Sequence, residues 1–178
     1  MWLRVALLAF APLVSAQTFP STVDIFKAPA FLKQAVIGGM QVDTHGDVYI
    51  AGYNAALADF PQTSSIGELQ GINGRTGMFV VKMNAALDTV LFAAKIGGTE
   101  QDQVYAMKVD AAGDVILVGH TLQPPFFDPS KTIDTSGGII LKLNATGTGR
   151  VYALPLPNVV TYVGLDVDAA GNAYVGSA

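Results

Sequence analysis

The feature that most constrains this chain is one short stretch that occurs three times. It reads VDTHGDVYIAG at 42–52, VDAAGDVILVG at 109–119, and VDAAGNAYVGSA at 167–178. In each copy an Asp closes an apolar run, at Asp43, Asp110 and Asp168, and a Gly follows three residues later, at Gly46, Gly113 and Gly171. Glycine there supplies a backbone position suited to positive φ, and the Asp carboxylate can accept hydrogen bonds from the turn amides. The residues that follow the turn, Val-Tyr-Ile, Val-Ile-Leu-Val and Ala-Tyr-Val, are strand formers. Each copy therefore reads as strand, turn, strand, and the six Asp and Gly residues read as structural repeat turns.

Two longer units can be traced around these hairpins. Strands are expected at 38–42, 48–53, 78–84 and 89–96 in the first, and at 104–109, 115–120, 138–144 and 149–154 in the second. Lys82 and Lys142 stand 60 positions apart, Asp43 and Asp110 stand 67 apart, and Asp110 and Asp168 stand 58 apart. A period near sixty with four strands per unit fits propeller blades better than solenoid repeats, most of which are shorter. The runs Met-Phe-Val-Val-Lys-Met and Gly-Ile-Ile-Leu-Lys-Leu are apolar on both faces, as expected for sheets stacked between other sheets. A doubly wound α/β fold would bury both faces too, but it needs a helix between strands, and here the connections are short turns or loops rich in Gly, Pro, Ser and Thr. The expected fold class is all-β: a partial β-propeller of four-stranded antiparallel blades, with about two complete blades and the first hairpin of a third.

Composition agrees with a folded, sheet-rich chain. Apolar residues make up 51% and charged residues only 13%, about half the usual share. The formal net charge of −4 points to neither a nucleic acid nor an anionic membrane as partner. With no Cys there is no disulfide framework and no thiolate metal site.

The first residues read as a signal peptide at 1–16. Arg4 supplies the positive region, 5–14 is an apolar run, and Val14-Ser15-Ala16 offers the small residues that place cleavage before Gln17. The run is too short to span a bilayer, so no membrane span is expected after cleavage. Loss of Arg4 takes the net charge from −4 to −5. The expected localisation is secreted, periplasmic or cell-surface. Residues 17–34 form a weakly patterned lead-in, blade one covers 35–98, blade two 99–157, and an incomplete third blade 158–178.

The segment GGTEQDQVYAMKVD at 97–110, followed by the hairpin to Gly119, resembles the bacterial β-propeller repeat family known as SBBP. Gly97, Gly98, Asp102, Ala106, Val109, Asp110 and Gly113 match its pattern, as do Asp59-Phe60-Pro61, Phe79-Val80 and Lys82. The resemblance runs from about Ala35 onward. The chain departs from the pattern at Gly77 and Gly137, where the family often has Asp, at Pro124-Pro125-Phe126-Phe127, and at Gly176-Ser177, which stand where Ala51-Gly52 and Val118-Gly119 stand earlier. Since propellers close with four to eight blades, the resemblance implies the N-terminal part of a longer exported bacterial protein. Expressed alone, such a piece is expected to aggregate through its strand edges.

The residues nominate no catalytic, cofactor-binding or metal-ligating side chain, and no cofactor. Asp166, Asp168 and Gly171 faintly resemble a calcium loop but lack its later ligands. Glu100 and Asp102, before the innermost strand, read as solvated or strand-capping acids, with a paired-carboxylate site as the alternative. Lys82 and Lys142 recur at equivalent places and read as structural residues at blade edges. Tyr105, Met107, Phe79 and Met83 read as core filling, and Asn144-Ala145-Thr146 is a glycosylation triplet without expected meaning in a bacterial chain. The long loops 54–77 and 121–137 are the expected recognition surfaces, for an unknown protein or carbohydrate ligand. The leading functional expectation is an exported, non-catalytic scaffold for binding or protein interaction. The alternatives are part of a propeller enzyme, such as a lyase, lactonase or glycan-acting hydrolase with its catalytic residues in other blades, and a purely architectural spacer.

Overall fold

A computed structural model describes residues 32, 34–54, 60–61, 63–66, 77–97, 102–121, 137–156 and 162–177. The expected signal peptide, Gly98, Glu100, Asp59 and most of the lead-in and of the two long loops lie outside the described residues.

The described chain is all-β. Its strands are β1 (Val36–Val42), β2 (Val48–Asn54), β3 (Ser64–Ile66), β4 (Gly77–Met83), β5 (Val90–Ile96), β6 (Gln103–Val109), β7 (Val115–Thr121), β8 (Gly137–Leu143), β9 (Arg150–Leu156), β10 (Tyr162–Val167) and β11 (Ala173–Ser177). They form a first sheet of order β1-β2-β4-β5-β3, a second of order β6-β7-β8-β9, and a two-stranded hairpin β10-β11. All pairings are antiparallel except β3 with β5. Among the described residues no sheet closes on itself. Among the described residues no helix is long and apolar enough to cross a membrane.

The short strand β3 was not among the sequence expectations. Thr63 anchors its start: its hydroxyl donates to the Ala93 carbonyl at 3.0 Å and accepts from the Ala93 amide at 2.8 Å. Three residues pairing across a long loop carry no period that a sequence pattern could reveal.

The sheets stack in sequence order. One face of the first sheet, with Tyr49, Ala51, Met78, Val80 and Phe92, packs on Val115, Leu117, Ile139 and Leu141 of the second. The opposite face of the second sheet, with Ile116, Val118 and Ile140, packs on Leu165 and Val175 of the third hairpin. The outer face of the first sheet is covered by Leu32 and Phe60, whose ring lies 5.3 Å from that of Phe79. The inner strands β2, β4, β7 and β8 are thus buried on both faces, which explains their unbroken apolar runs. Each fully buried Leu, Ile or Phe on them contributes about 1.5–3 kcal/mol.

The first strands of the three units run side by side, β1 beside β6 and β6 beside β10. Close approach at this seam depends on Gly38: a Cβ there would lie 2.3 Å from the Val104 carbonyl oxygen. Each first hairpin also carries a bulge at the same place, between Ile37 and Gly39, between Val104 and Ala106, and between Tyr162 and Gly164. Far from the seam the two larger sheets end differently. The edge of β5 is covered by β3, whereas β9 carries Pro155, a residue that edge strands tolerate because it has no amide to donate.

Candidate functional site

The three repeat turns lie at the ends of β1, β6 and β10, and the same hydrogen bonds build each of them. The Gly amide donates to the Asp carbonyl at 3.0 Å in all three. Gly46, Gly113 and Gly171 have φ of 85°, 85° and 83°, a conformation that disfavours any side chain. One carboxylate oxygen, Oδ1, accepts two turn amides: from His45 and Asp47 at Asp43, from Ala112 and Asp114 at Asp110, and from Ala170 and Asn172 at Asp168.

The second oxygen has a different partner. Lys82 on β4 places its Nζ 3.2 Å from Asp43 Oδ2 and 3.1 Å from Asp47. Lys142 on β8 places its Nζ 2.6 Å from Asp110 Oδ2 and 3.1 Å from Asp114. Both lysines were expected at blade edges. They sit instead on strands flanked on both sides and reach along the sheet to its turn. The cross-strand register puts them there, Tyr49 opposite Lys82 and Ile116 opposite Lys142.

Burial alone would raise the Asp110 pKa, but the Lys142 ammonium and the amides of Asp114 and Ala112 outweigh it and hold the carboxyl below the ordinary carboxylate value. Asp43 is depressed in the same way, with burial opposed by the His45 amide and the Lys82 ammonium. Lys82 stays charged well above the usual lysine range: burial is outweighed by the Tyr49 phenol and by the two carboxylates. Its ammonium also lies 4.8 Å from the centre of the Tyr49 ring, within cation–π range.

Between the first two turns opens a cleft of about 440 Å³ whose lining includes Gln41, Asp43, His45, Tyr49, Lys82 and Asp110. Gln41 accepts from the Val109 amide at 2.8 Å and donates to the Val109 carbonyl at 3.1 Å, so one side chain splices β1 to β6. At the next seam the equivalent residue is Lys108, 3.1 Å from Asp166 on β10. Asp43, Lys82 and Asp110 of the cleft are thus paired within the turns that they close.

Of the residues read as core, Phe79, Met83 and Met107 are buried, but Tyr105 is 37% exposed. It occupies the bulge of β6, where the doubled backbone turns its side chain outward, and its hydroxyl donates to Gln103. Asp102 is fully buried at the start of β6 and so is not a solvated acid. Phe60 is buried against the first sheet, Gly97 is buried after β5, and Ala106 is half-buried on β6.

Sequence reasoning overlooked a second family of turns. Asn84 accepts from the amides of Asp88 and Thr89, and Asn144 accepts from those of Thr148 and Gly149. Leu87 and Gly147 occupy the same place in the two turns, with φ of 61° and 66°. The recurring Asn-Ala at 84–85 and 144–145 was the available signal, and it gives Asn144 a structural role.

A comparison with protein-family models and with curated proteins found no match.

Proposed function

We propose that this chain is part of an exported β-propeller built from SBBP-like repeats, and that it serves as a non-catalytic scaffold for binding a protein or carbohydrate. The observation that carries this reading is the stacking of three homologous hairpins, each with its first strand at one seam, its bulge at one place and its Asp-x-x-Gly turn at one end. A stack that repeats one step supports a ring of blades better than a closed sandwich, in which two sheets would complete the core. Both ends of the stack also carry exposed apolar side chains, Val36, Met40 and Val42 on β1 and Tyr174 on β11, as blades awaiting neighbours would. The pairing of Lys82 and Lys142 with turn carboxylates supports a non-catalytic role, since it spends the recurring charges on architecture. Recognition then falls to the long loops at 54–77 and 121–137.

The test is a glycan array and a panel of immobilised extracellular proteins probed with the purified chain, run beside lyase, lactonase and glycosidase assays. Saturable binding without turnover is the expected result. Turnover that persists through repurification would overturn the non-catalytic reading.

A further inference from the structure

We propose that the cleft between the first two repeat turns binds a short neutral saccharide, and that Thr44 and His45 are the residues that select it.

The turns themselves do not need these two side chains. Asp110 and Asp168 close over Ala-Ala, at 111–112 and 169–170, with the same amide hydrogen bonds that Asp43 makes over Thr44-His45. A hydroxyl and an imidazole there add nothing to the backbone geometry. Both are exposed, and both line the cleft, whose other wall includes Ala111 and Ala112 of the second turn. Two further departures from the repeat, Gln41 where the second hairpin has Lys108 and Tyr49 where it has Ile116, border the same cleft. Shared residues build the turns, and the polar differences between the first two hairpins gather at one cavity.

The walls select the class of ligand. Each turn sets two carboxylates against one ammonium, Asp43 and Asp47 against Lys82, and Asp110 and Asp114 against Lys142. That excess of negative charge repels an anion. A cation would find the carboxylates already held by lysine and by turn amides, and would meet the Lys82 ammonium in the wall. A neutral hydroxyl both donates and accepts, so it joins such a network without displacing a charge. Val42, 56% exposed, and the exposed methyl groups of Ala111 and Ala112 supply apolar surface for the C–H face of a sugar ring. The volume of about 440 Å³ lies within the range usual for small-ligand sites, which combine apolar surface with a few polar groups.

This site is distinct from the long loops, because it lies at the other end of the sheets. The first turn adjoins the Val48–Met83 end of the β2–β4 ladder, and the loop at 54–77 leaves from the Asn54–Gly77 end. The two histidines of the chain mark these two ends. His45 is in the first turn, whereas His120 pairs with Gly138 at the far end of β7, one residue before the second long loop begins.

The test is titration of the full chain with glucose, galactose, mannose, N-acetylglucosamine, maltose and cellobiose, read by saturation-transfer NMR and by the ring signals of the two histidines. At least one of these sugars is expected to bind saturably and to shift the His45 signals while those of His120 stay in place. The double variant Thr44→Ala/His45→Ala gives the first turn the Ala-Ala of the other two, so its fold has a precedent within the chain. It is expected to bind that sugar about tenfold more weakly, since hydrogen bonds from both side chains are lost. Glucuronate and glucosamine, the charged counterparts, are expected to bind more weakly than the neutral sugars. No saturable binding, unchanged affinity in the double variant, or a tighter hold on either charged sugar would overturn the proposal. A sugar that shifts His120 alone would also overturn it, while leaving carbohydrate recognition by the loops standing. Turnover of a sugar that shifts His45 would instead overturn the non-catalytic reading and support the cleft.

Discussion

The turn of the second sheet and the turn of the third hairpin share the tetrapeptide Asp-Ala-Ala-Gly, at 110–113 and at 168–171. Their backbones are alike: both glycines sit near φ 85°, and both Asp Oδ1 atoms accept two turn amides. Their outer carboxylate oxygens differ. Asp110 Oδ2 meets a lysine from another strand and its side chain is 4% exposed, while Asp168 Oδ2 is served by its own hairpin. The turn is thus a local device that forms the same way with or without a neighbour. The ion pair is a tertiary device laid over it, and it couples the turn to the strand two places along the sheet.

The largest expected effect breaks the likeness of the hairpins themselves. A Cβ on Gly119 would lie 2.1 Å from the Gln103 carbonyl oxygen, and one on Gly52 would lie 2.2 Å from that of Val36. Both contacts are with backbone, which cannot swing aside. Gly119→Ala is expected to cost about 3 kcal/mol or more, read from the urea midpoint. A midpoint within the error of the unaltered protein would mean that the bulge of β6 shifts freely.

Next comes the ion pair. Lys142→Met leaves the Asp110 carboxylate without its cation and is expected to cost about 2 kcal/mol. The figure lies below the usual range for a fully buried pair because the turn borders solvent. The same variant sharpens the pH dependence. Asp110 and Asp43 titrate lower in the folded chain than in the unfolded one, where Asp ionises near about 3.9. Their stabilisation is therefore complete above that pH and is lost as pH falls through the folded values. The urea midpoint should hold from about pH 7 to about pH 5 and fall below about pH 4, less steeply in Lys142→Met. An equal slope in both proteins would place the acid sensitivity elsewhere.

The two seams offer a smaller contrast. Gln41→Ala removes both hydrogen bonds to Val109 and is expected to cost about 1–2 kcal/mol. Lys108→Ala at the next seam breaks a pair whose Asp166 side chain is 78% exposed, so no measurable change is expected beyond the scatter of the midpoint. Reversal of that order would mean that the second seam, not the first, holds the stack together.

Much of this was legible in the residues. The thrice-repeated Asp-x-x-Gly located the first hairpins, and the twin runs around Lys82 and Lys142 located the third strands, with ends that fell within about two residues. Strand β3 escaped because three residues pairing across a loop have no pattern of their own. Tyr105 was misread because a bulge changes which way a side chain points without changing its neighbours in sequence. The depth of Asp102 was likewise invisible, since burial depends on what packs over the start of β6.

By itself, then, the sequence determined what is decided within a few bonds: where the chain turns, which positions need glycine, and which strands are apolar on both faces. Tertiary structure alone decided what depends on register and stacking. It brought Lys82 and Lys142 to carboxylates far away in the chain, hid Tyr49 and left Tyr174 open, and spliced the first two sheets through Gln41. The division has a simple cause: turns are closed by hydrogen bonds between near neighbours, whereas a partner for Asp Oδ2 exists only once another strand has arrived in the right register.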